Sequence, residues 1–237
     1  MKKIGIILFV LINITIAAKA QSDKKLRDEA RVVVDSSGTQ YPYAVWRKLV
    51  LTHEYRLKKI DKKSDSSAYL LVKLDSAQLD ERMSRIPMPK MSENFPVGKK
   101  MSYVSFTDIE GNKIKVEDLK GKVVVLNFWF IGCPPCRKEL PDLNKLALEY
   151  TNQPDVIFIA IALDKGWDLQ QFIKTNPLAY HIIDEGQYYS RYYGVHLYPT
   201  NVVLDRGGNV LFSDVGYSNT TQYWLRKNIE DAKKSNL

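Results

Sequence analysis

Cysteine is almost missing from this chain: its 237 residues contain two, Cys133 and Cys136. A scaffold stapled by several disulfides is therefore excluded. Histidine is scarce too, with only His53, His181 and His196, so a histidine-rich metal centre is a poor reading. No basic stripe with interleaved aromatics is present. Basic residues are dispersed or mixed with acids, as in Lys58-Lys59-Ile60-Asp61-Lys62-Lys63, which reads as a solvated turn. That argues against nucleic-acid binding. Low hydrophobicity is also lacking: 45% hydrophobic and 26% charged residues describe a soluble globular protein.

Nor is there an apolar run of clear membrane-spanning length. The longest candidate, Ile4 to Ala18, is broken by Asn13 and Thr15 and is short for a span. It follows Lys2 and Lys3 and precedes the small-x-small sequence Ala18-Lys19-Ala20, so residues 1–20 read as a secretory signal peptide. We expect cleavage after Ala20 and a mature chain beginning at Gln21. No cysteine follows the apolar stretch to carry a lipid. Removing Lys2, Lys3 and Lys19 lowers the formal charge from +8 to +5. The expected location is the periplasm or the extracytoplasmic face of the membrane. In that oxidising setting the two cysteines are spared from structural duty and fit chemistry better.

What the chain does have is Phe128-Trp129-Phe130-Ile131-Gly132-Cys133-Pro134-Pro135-Cys136. An apolar run ends in glycine, the first cysteine follows, and the residues after it read as a helix. A thiol on the amino end of a helix meets unpaired N–H groups and the positive end of the dipole, which stabilise a thiolate. Cys133 is then the nucleophile, nearest the helix end and expected to be exposed, with a pKa lowered toward the range of about 3.5–7.5 found in such motifs. Cys136, one turn further in, can attack a mixed disulfide and release the product. Pro134 and Pro135 fit the first helical positions, where an N–H would be orphaned anyway. An inert disulfide is the rival reading, but so short a loop gives little chain-entropy stabilisation.

Two regions separate around Ile86-Pro87-Met88-Pro89-Lys90 and Ser92-Glu93-Asn94-Phe95-Pro96, giving a small α+β module over 21–95 and a larger region over 96–237. In the front module Leu49, Leu51, Tyr55 and Leu57 keep a period near two and Ala68 to Leu74 is a second apolar run, a hairpin about Asp61 to Ser67; Trp46 and Val50 would also suit a helix. Asp75-Ser76 can cap a helix carrying Leu79, Met83 and Ile86. His53 reads as a strand residue. The larger region alternates strands (Met101 to Thr107, Val123 to Phe130, Val156 to Leu163) with helices (around Leu140 to Tyr150, and Trp167 to Thr175). It ends in a hairpin, Asn201 to Leu204 and Val210 to Ser213, and a helix from Trp224 to Ala232. The continuous apolar runs fit central strands covered on both faces.

This order, with Cys-x-x-Cys at a strand-to-helix turn, Pro141 within the helix and Tyr198-Pro199-Thr200 before the hairpin, resembles the thioredoxin fold, an α/β class with a central mixed sheet flanked by helices. In detail residues 97–237 resemble the TlpA/ResA-like branch of exported thioredoxins, through Gly121 to Trp129 and Arg137-Lys138-Glu139-Leu140-Pro141. The resemblance implies a thiol–disulfide oxidoreductase with redox-active Cys133 and Cys136, and no cofactor or resident metal. It further implies a cis Pro199 facing the dithiol, with Tyr198, Pro199 and Thr200 contacting an extended substrate. The implied partners are protein disulfides and a membrane-embedded thiol donor, with the protein a monomer; apocytochrome c maturation is one family role. Glu139, on the face of Cys136, would take or return the proton of the inner thiol; its rival reading is a surface acid paired with Arg137 or Lys138. Asn127 replaces the buried aspartate usual in thioredoxins, and Gly132 replaces the usual tryptophan, leaving one edge of the site bare.

Two other functions remain open at this level. A peroxidase of the peroxiredoxin type would need a threonine and proline pattern about the cysteine that is absent. A copper carrier or non-catalytic binding module would use both sulfurs with His196; His181 is more remote, and Trp129 reads as packing.

Overall fold

The computed structural model describes residues 28–61 and 68–235. The expected signal peptide and most of the polar loop before Ala68 lie outside the described residues. The chain divides into two compact units after Pro87. Residues 92–95 belong with the second unit because the Phe95 ring joins its core and the Phe95 carbonyl accepts from Ser213 Oγ at 2.9 Å.

In the first unit β1 (Val32–Val34), β2 (Gln40–Tyr41), α1 (Tyr43–Leu51), β3 (Tyr55–Lys59), β4 (Ala68–Lys73) and α2 (Ser76–Met83) build a four-stranded sheet in the order β2-β1-β4-β3. Val33, Trp46 and Leu71 centre its core. The expected hairpin is β3 and β4, antiparallel, but Leu49 and Leu51 lie in α1. Period two gave way there to the helical spacing of Trp46 and Val50. His53 is not a strand residue; it turns the chain between α1 and β3 with φ +64. Asp75 caps α2 as expected, its carboxylate accepting from Gln78 N–H at 2.8 Å.

The second unit contains β5 (Phe106–Thr107), β6 (Lys113–Ile114), α3 (Val116–Leu119), β7 (Val123–Trp129), α4 (Pro134–Glu149), β8 (Val156–Ala162), α5 (Gly166–Ile173), β9 (His181–Ile183), α6 (Gln187–Tyr192), β10 (Thr200–Leu204), β11 (Val210–Val215) and α7 (Thr221–Lys234). Its five-stranded sheet runs β11-β10-β7-β8-β9, with β7, β8 and β9 parallel and β10 antiparallel to both neighbours. Both β7 and β8 are buried along their whole length, as their uninterrupted apolar sequences require. The expected strand from Met101 shrinks to β5, because Met101 N–H bonds instead to the Gly208 carbonyl. The short β9, α3 and α6 were not foreseen; each is too brief to show a period.

The two faces of the sheet carry different cargo. Val124, Leu126, Phe128, Ile159 and Val202 face one core, with Phe95 and Leu119. Val123, Val125, Phe158 and Val203 face the other, under α4 and α7, whose Leu143, Leu225 and Ile229 fill it. Continuing along that second face, β7 reaches Asn127 and then Trp129, which packs with Cys133, Cys136 and Leu140.

Gly186 closes the end of β8 against the start of α6. A methyl group there would stand 2.6 Å from Ile161 Cγ2 and 2.7 Å from the Ala162 carbonyl oxygen. Gly186→Ala is expected to lower stability by about 1–3 kcal/mol, the usual cost of overpacking a tight site. Urea unfolding measures it; an unchanged midpoint would show that the end of β8 yields without cost.

Candidate active site

Strand β7 ends at Trp129, and a turn of Phe130, Ile131 and Gly132 leads into α4. The turn is pinned by Ile131 N–H donating to Asp164 Oδ2 at 2.8 Å and by Cys133 N–H donating to the Phe130 carbonyl at 3.2 Å. Cys133 is the N-cap, its backbone extended, and Cys136 N–H donates to Cys133 Sγ at 3.2 Å. A sulfur in the place of a capping oxygen therefore meets the free donors of the first turn. Pro134 and Pro135 occupy the next two positions, as the sequence required.

The two cysteines form a disulfide, with Cα atoms 5.3 Å apart. Cys136 is buried, as expected. Cys133 is not exposed: only 2% of it reaches solvent. Leu140 and Trp129 pack in the same cluster, with Phe130, Ile131 and Tyr198 partly buried around it. Phe130 and Tyr198 meet edge-on with ring centroids 5.5 Å apart. The unsheltered side is Gly132, which is exposed, and a Cβ there would make only ordinary contact with the Phe130 ring at 3.7 Å.

The Tyr198–Pro199 peptide is cis. Thr200 is buried at the start of β10, opposite Phe128 of β7, and its hydroxyl donates to the Leu197 carbonyl at 2.8 Å. His196 is exposed, its Nδ1 paired with the Gly194 carbonyl at 2.9 Å. His181 opens β9 and contacts Asp108 Oδ2 at 2.9 Å, away from the dithiol motif in the fold. Among the described residues no three His, Cys, Asp or Glu side chains converge on a possible metal position.

Glu139 lies three residues after Cys136 on α4 and is 2% exposed, so its pairing with Arg137 or Lys138 on the surface is corrected. It points into the sheet, onto a row that the strand register creates. Asn127 of β7 is opposite Asn201 of β10, and Asn201 is opposite Asp214 of β11. Asn127 Nδ2 donates to Glu139 Oε1 at 3.2 Å and to Asn201 Oδ1 at 2.8 Å. Asn201 Nδ2 donates to Glu139 Oε1 at 3.3 Å and to Asp214 Oδ1 at 3.0 Å, and Thr221 Oγ1 of α7 donates to Asp214 Oδ2 at 2.5 Å. Asn127 Oδ1 is buried without a partner.

Burial, reinforced by the nearby charge of Asp214, holds the Glu139 carboxyl well above the usual range, and the two amide donors only partly oppose it. Burial also pushes Asp214 up, to about 6, against the pull of Thr221 and Asn201. The arrangement is a buried acid that holds its proton to higher pH than usual, one helical turn from the inner sulfur. Sequence reading found Cys133, Cys136, Glu139 and Asn127 but missed Asn201 and Asp214. The one signal available was a polar residue inside each strand pattern, which flags the position without saying which face it takes.

A sheet with three parallel strands and an antiparallel terminal hairpin, a Cys-x-x-Cys disulfide at a helix N-terminus and a cis proline before β10 together define the class, a thioredoxin-fold thiol–disulfide oxidoreductase. The Redoxin family pattern matches residues 96–233, more than half of the chain, and the chain belongs to that family, in its ResA-like thioredoxin-fold branch. It is 36% identical over 125 residues to the thiol-disulfide oxidoreductase ResA of Bacillus thuringiensis (strain Al Hakam), covering 52% of this chain and 72% of that one. It is 32% identical over 121 residues to the thioredoxin-like protein YneN of Bacillus subtilis (strain 168), covering 50% and 71%. Among solved structures, a Chlorobium tepidum protein proposed to be the thiol:disulfide interchange protein DsbE superposes with a TM-score of 0.53 at 29% identity, over 58% of this chain and 98% of that one.

The raised Glu139 pKa carries a consequence for stability. The native state binds this proton at pH values where the unfolded chain, with its ordinary pKa near 4.5, has lost it. Folding stability therefore falls as pH rises above the unfolded pKa and levels off above the folded one. Glu139→Gln removes that slope. The melting temperature of the oxidised variant is expected to rise relative to the wild type as pH increases from 4.5, and a difference constant with pH would refute it.

Proposed function

We propose that this protein is an exported thiol–disulfide oxidoreductase that reduces disulfides in other proteins through a mixed-disulfide intermediate. The observation that carries the reading is Cys133 Sγ at the N-terminus of α4, accepting the Cys136 N–H while bonded to its only cysteine partner. In the reduced protein the same donor and the helix dipole favour a Cys133 thiolate. That thiolate attacks one sulfur of a substrate disulfide, and the other sulfur leaves as a thiolate. Cys136 then attacks Cys133 Sγ, releases the second substrate thiolate and restores the disulfide seen here. Glu139 takes the proton of the Cys136 thiol as it attacks. An extended substrate segment lies against Tyr198, Pro199 and Thr200, of which Tyr198 is the half-buried member that meets it first.

The cycle leaves the protein oxidised, so a separate thiol donor must reset it; a membrane-embedded one fits an exported chain acting as a monomer. Export, to the periplasm or an equivalent extracytoplasmic space, is supported by the leader pattern of residues 1–20. No described helix is long and apolar enough to cross a membrane. The relative named ResA is described as a thiol-disulfide oxidoreductase, which agrees with the reaction class.

The reduced protein is expected to speed insulin disulfide reduction in the presence of a dithiol donor. Cys133→Ser should abolish turnover. Cys136→Ser should instead accumulate a mixed disulfide with substrate through Cys133, visible by mass spectrometry under non-reducing conditions. Turnover retained in Cys133→Ser, or no turnover by the wild type with any dithiol donor, would overturn the proposal.

A further inference from the structure

Asp214 is a second buried carboxyl that the exchange cycle above does not use. It is fully buried in β11, and Asn201 stands between it and Glu139 with one amide nitrogen donating to both. The two carboxyls are not equally supported. Asp214 receives a hydroxyl at 2.5 Å as well as the amide. Glu139 receives only amide N–H groups, at 3.2 Å or more. Two negative charges in one buried network repel strongly, so while the disulfide is closed one of the pair keeps a proton. The better-supported group is Asp214, which leaves the proton on Glu139.

We propose that Asp214 is a positioning residue for the exchange chemistry, acting through Asn201 to keep Glu139 proton-bearing while Cys133 and Cys136 are oxidised. This rests on the function proposed above. When a reductant thiolate attacks Cys133 Sγ, the Cys133–Cys136 bond breaks and its electron pair goes to Cys136 Sγ. Glu139 gives that sulfur its proton, becoming a carboxylate while Cys136 becomes a thiol. In the later resolving step the proton returns as Cys136 attacks the mixed disulfide. Without the charge on Asp214, Glu139 would surrender its proton to solvent at lower pH, and the disulfide would open without its acid.

The other groups facing Glu139 do not supply this charge. β7 and β10 present the neutral amides Asn127 and Asn201, and α7 presents Thr221 to Asp214. Tyr180, just before β9, and Tyr217, after β11, hold their protons, both pushed further up by burial first and the Glu139 carboxyl among the lesser causes. Asp142, on α4 itself, adds a smaller repulsion than Asp214. Lys138 sits 4.3 Å from the Tyr217 ring centroid.

The full chain is titrated by 13C NMR of the Glu139 carboxyl, assigned by its loss in Glu139→Gln, which needs no turnover. In parallel, reductive opening by dithiothreitol is followed by tryptophan fluorescence, with rates expressed per thiolate. In Asp214→Asn the Glu139 midpoint and the alkaline fall of the opening rate should both move down by about one pH unit, the smaller end of shifts caused by an adjacent charge. Thr221→Val, which keeps Asp214 but removes its hydroxyl donor, should move both in the same direction by less, and decides the matter if Asp214→Asn does not fold. Midpoints unchanged in the folded variants would overturn the inference. A carboxyl midpoint that moves while the opening rate has no alkaline fall even in the wild type supports the coupling and removes instead the proton role given to Glu139.

Discussion

Strand β10 lies antiparallel between β7 and β11, and the rest of the site follows from the register of those three strands. Because Asn127, Asn201 and Asp214 stand opposite one another, their side chains leave the sheet on the same face. That face is otherwise apolar and covered by α4 and α7. A slip of one residue would send each polar group to the opposite core and strand it there. The hydrogen-bonded row therefore also works as a lock on register, since only one alignment lets all three side chains find partners. Glu139 reaches this row from α4, so the helix that carries the dithiol is held to the sheet by polar contacts as well as by Leu140 and Leu143.

Helix α4 brings two opposed electrostatic environments within one turn. At its N-terminus the free N–H groups face Cys133 Sγ, a setting that favours negative charge. Further in, the closed core around Glu139 disfavours it. A dithiol that must present one thiolate and keep its mate protonated is served by that gradient. The partners that reach the two carboxyls are amides and a hydroxyl. Cys133 is covered by Leu140, Trp129 and the flanking rings, while at Gly132 beside it the sequence puts no side chain.

Much of this was legible in the chain itself. The two long buried strands announced themselves as uninterrupted apolar runs, and the terminal hairpin and closing helix by their periods. The dithiol needed only the elimination of every other cysteine. Glu139 was reachable by counting one turn from Cys136, though counting could not separate a buried acid from a surface one; that depends on what lies beneath the helix. The exposure assigned to Cys133 failed for the same reason, because position at a helix end says nothing of the aromatic residues folded over it. His53 and Leu51 went astray where two periods competed over a short stretch.

Asn201 and Asp214 were illegible for a more specific cause. In Thr200-Asn201-Val202 and Ser213-Asp214-Val215 each reads as the outward residue of a half-exposed strand, since alternation alone does not say which face is inside. Their burial is decided by α7, which closes over β10 and β11 and places Thr221 against Asp214. Charge inside a strand is uncommon enough to be a flag, yet the flag names no partner. Partnership comes from pairing residues 13 and 74 positions apart, contacts that only the folded topology creates. The sequence thus locates the sulfur chemistry by local pattern, whereas the machinery that governs its proton is assembled across three strands and two helices, and only the register makes it one device.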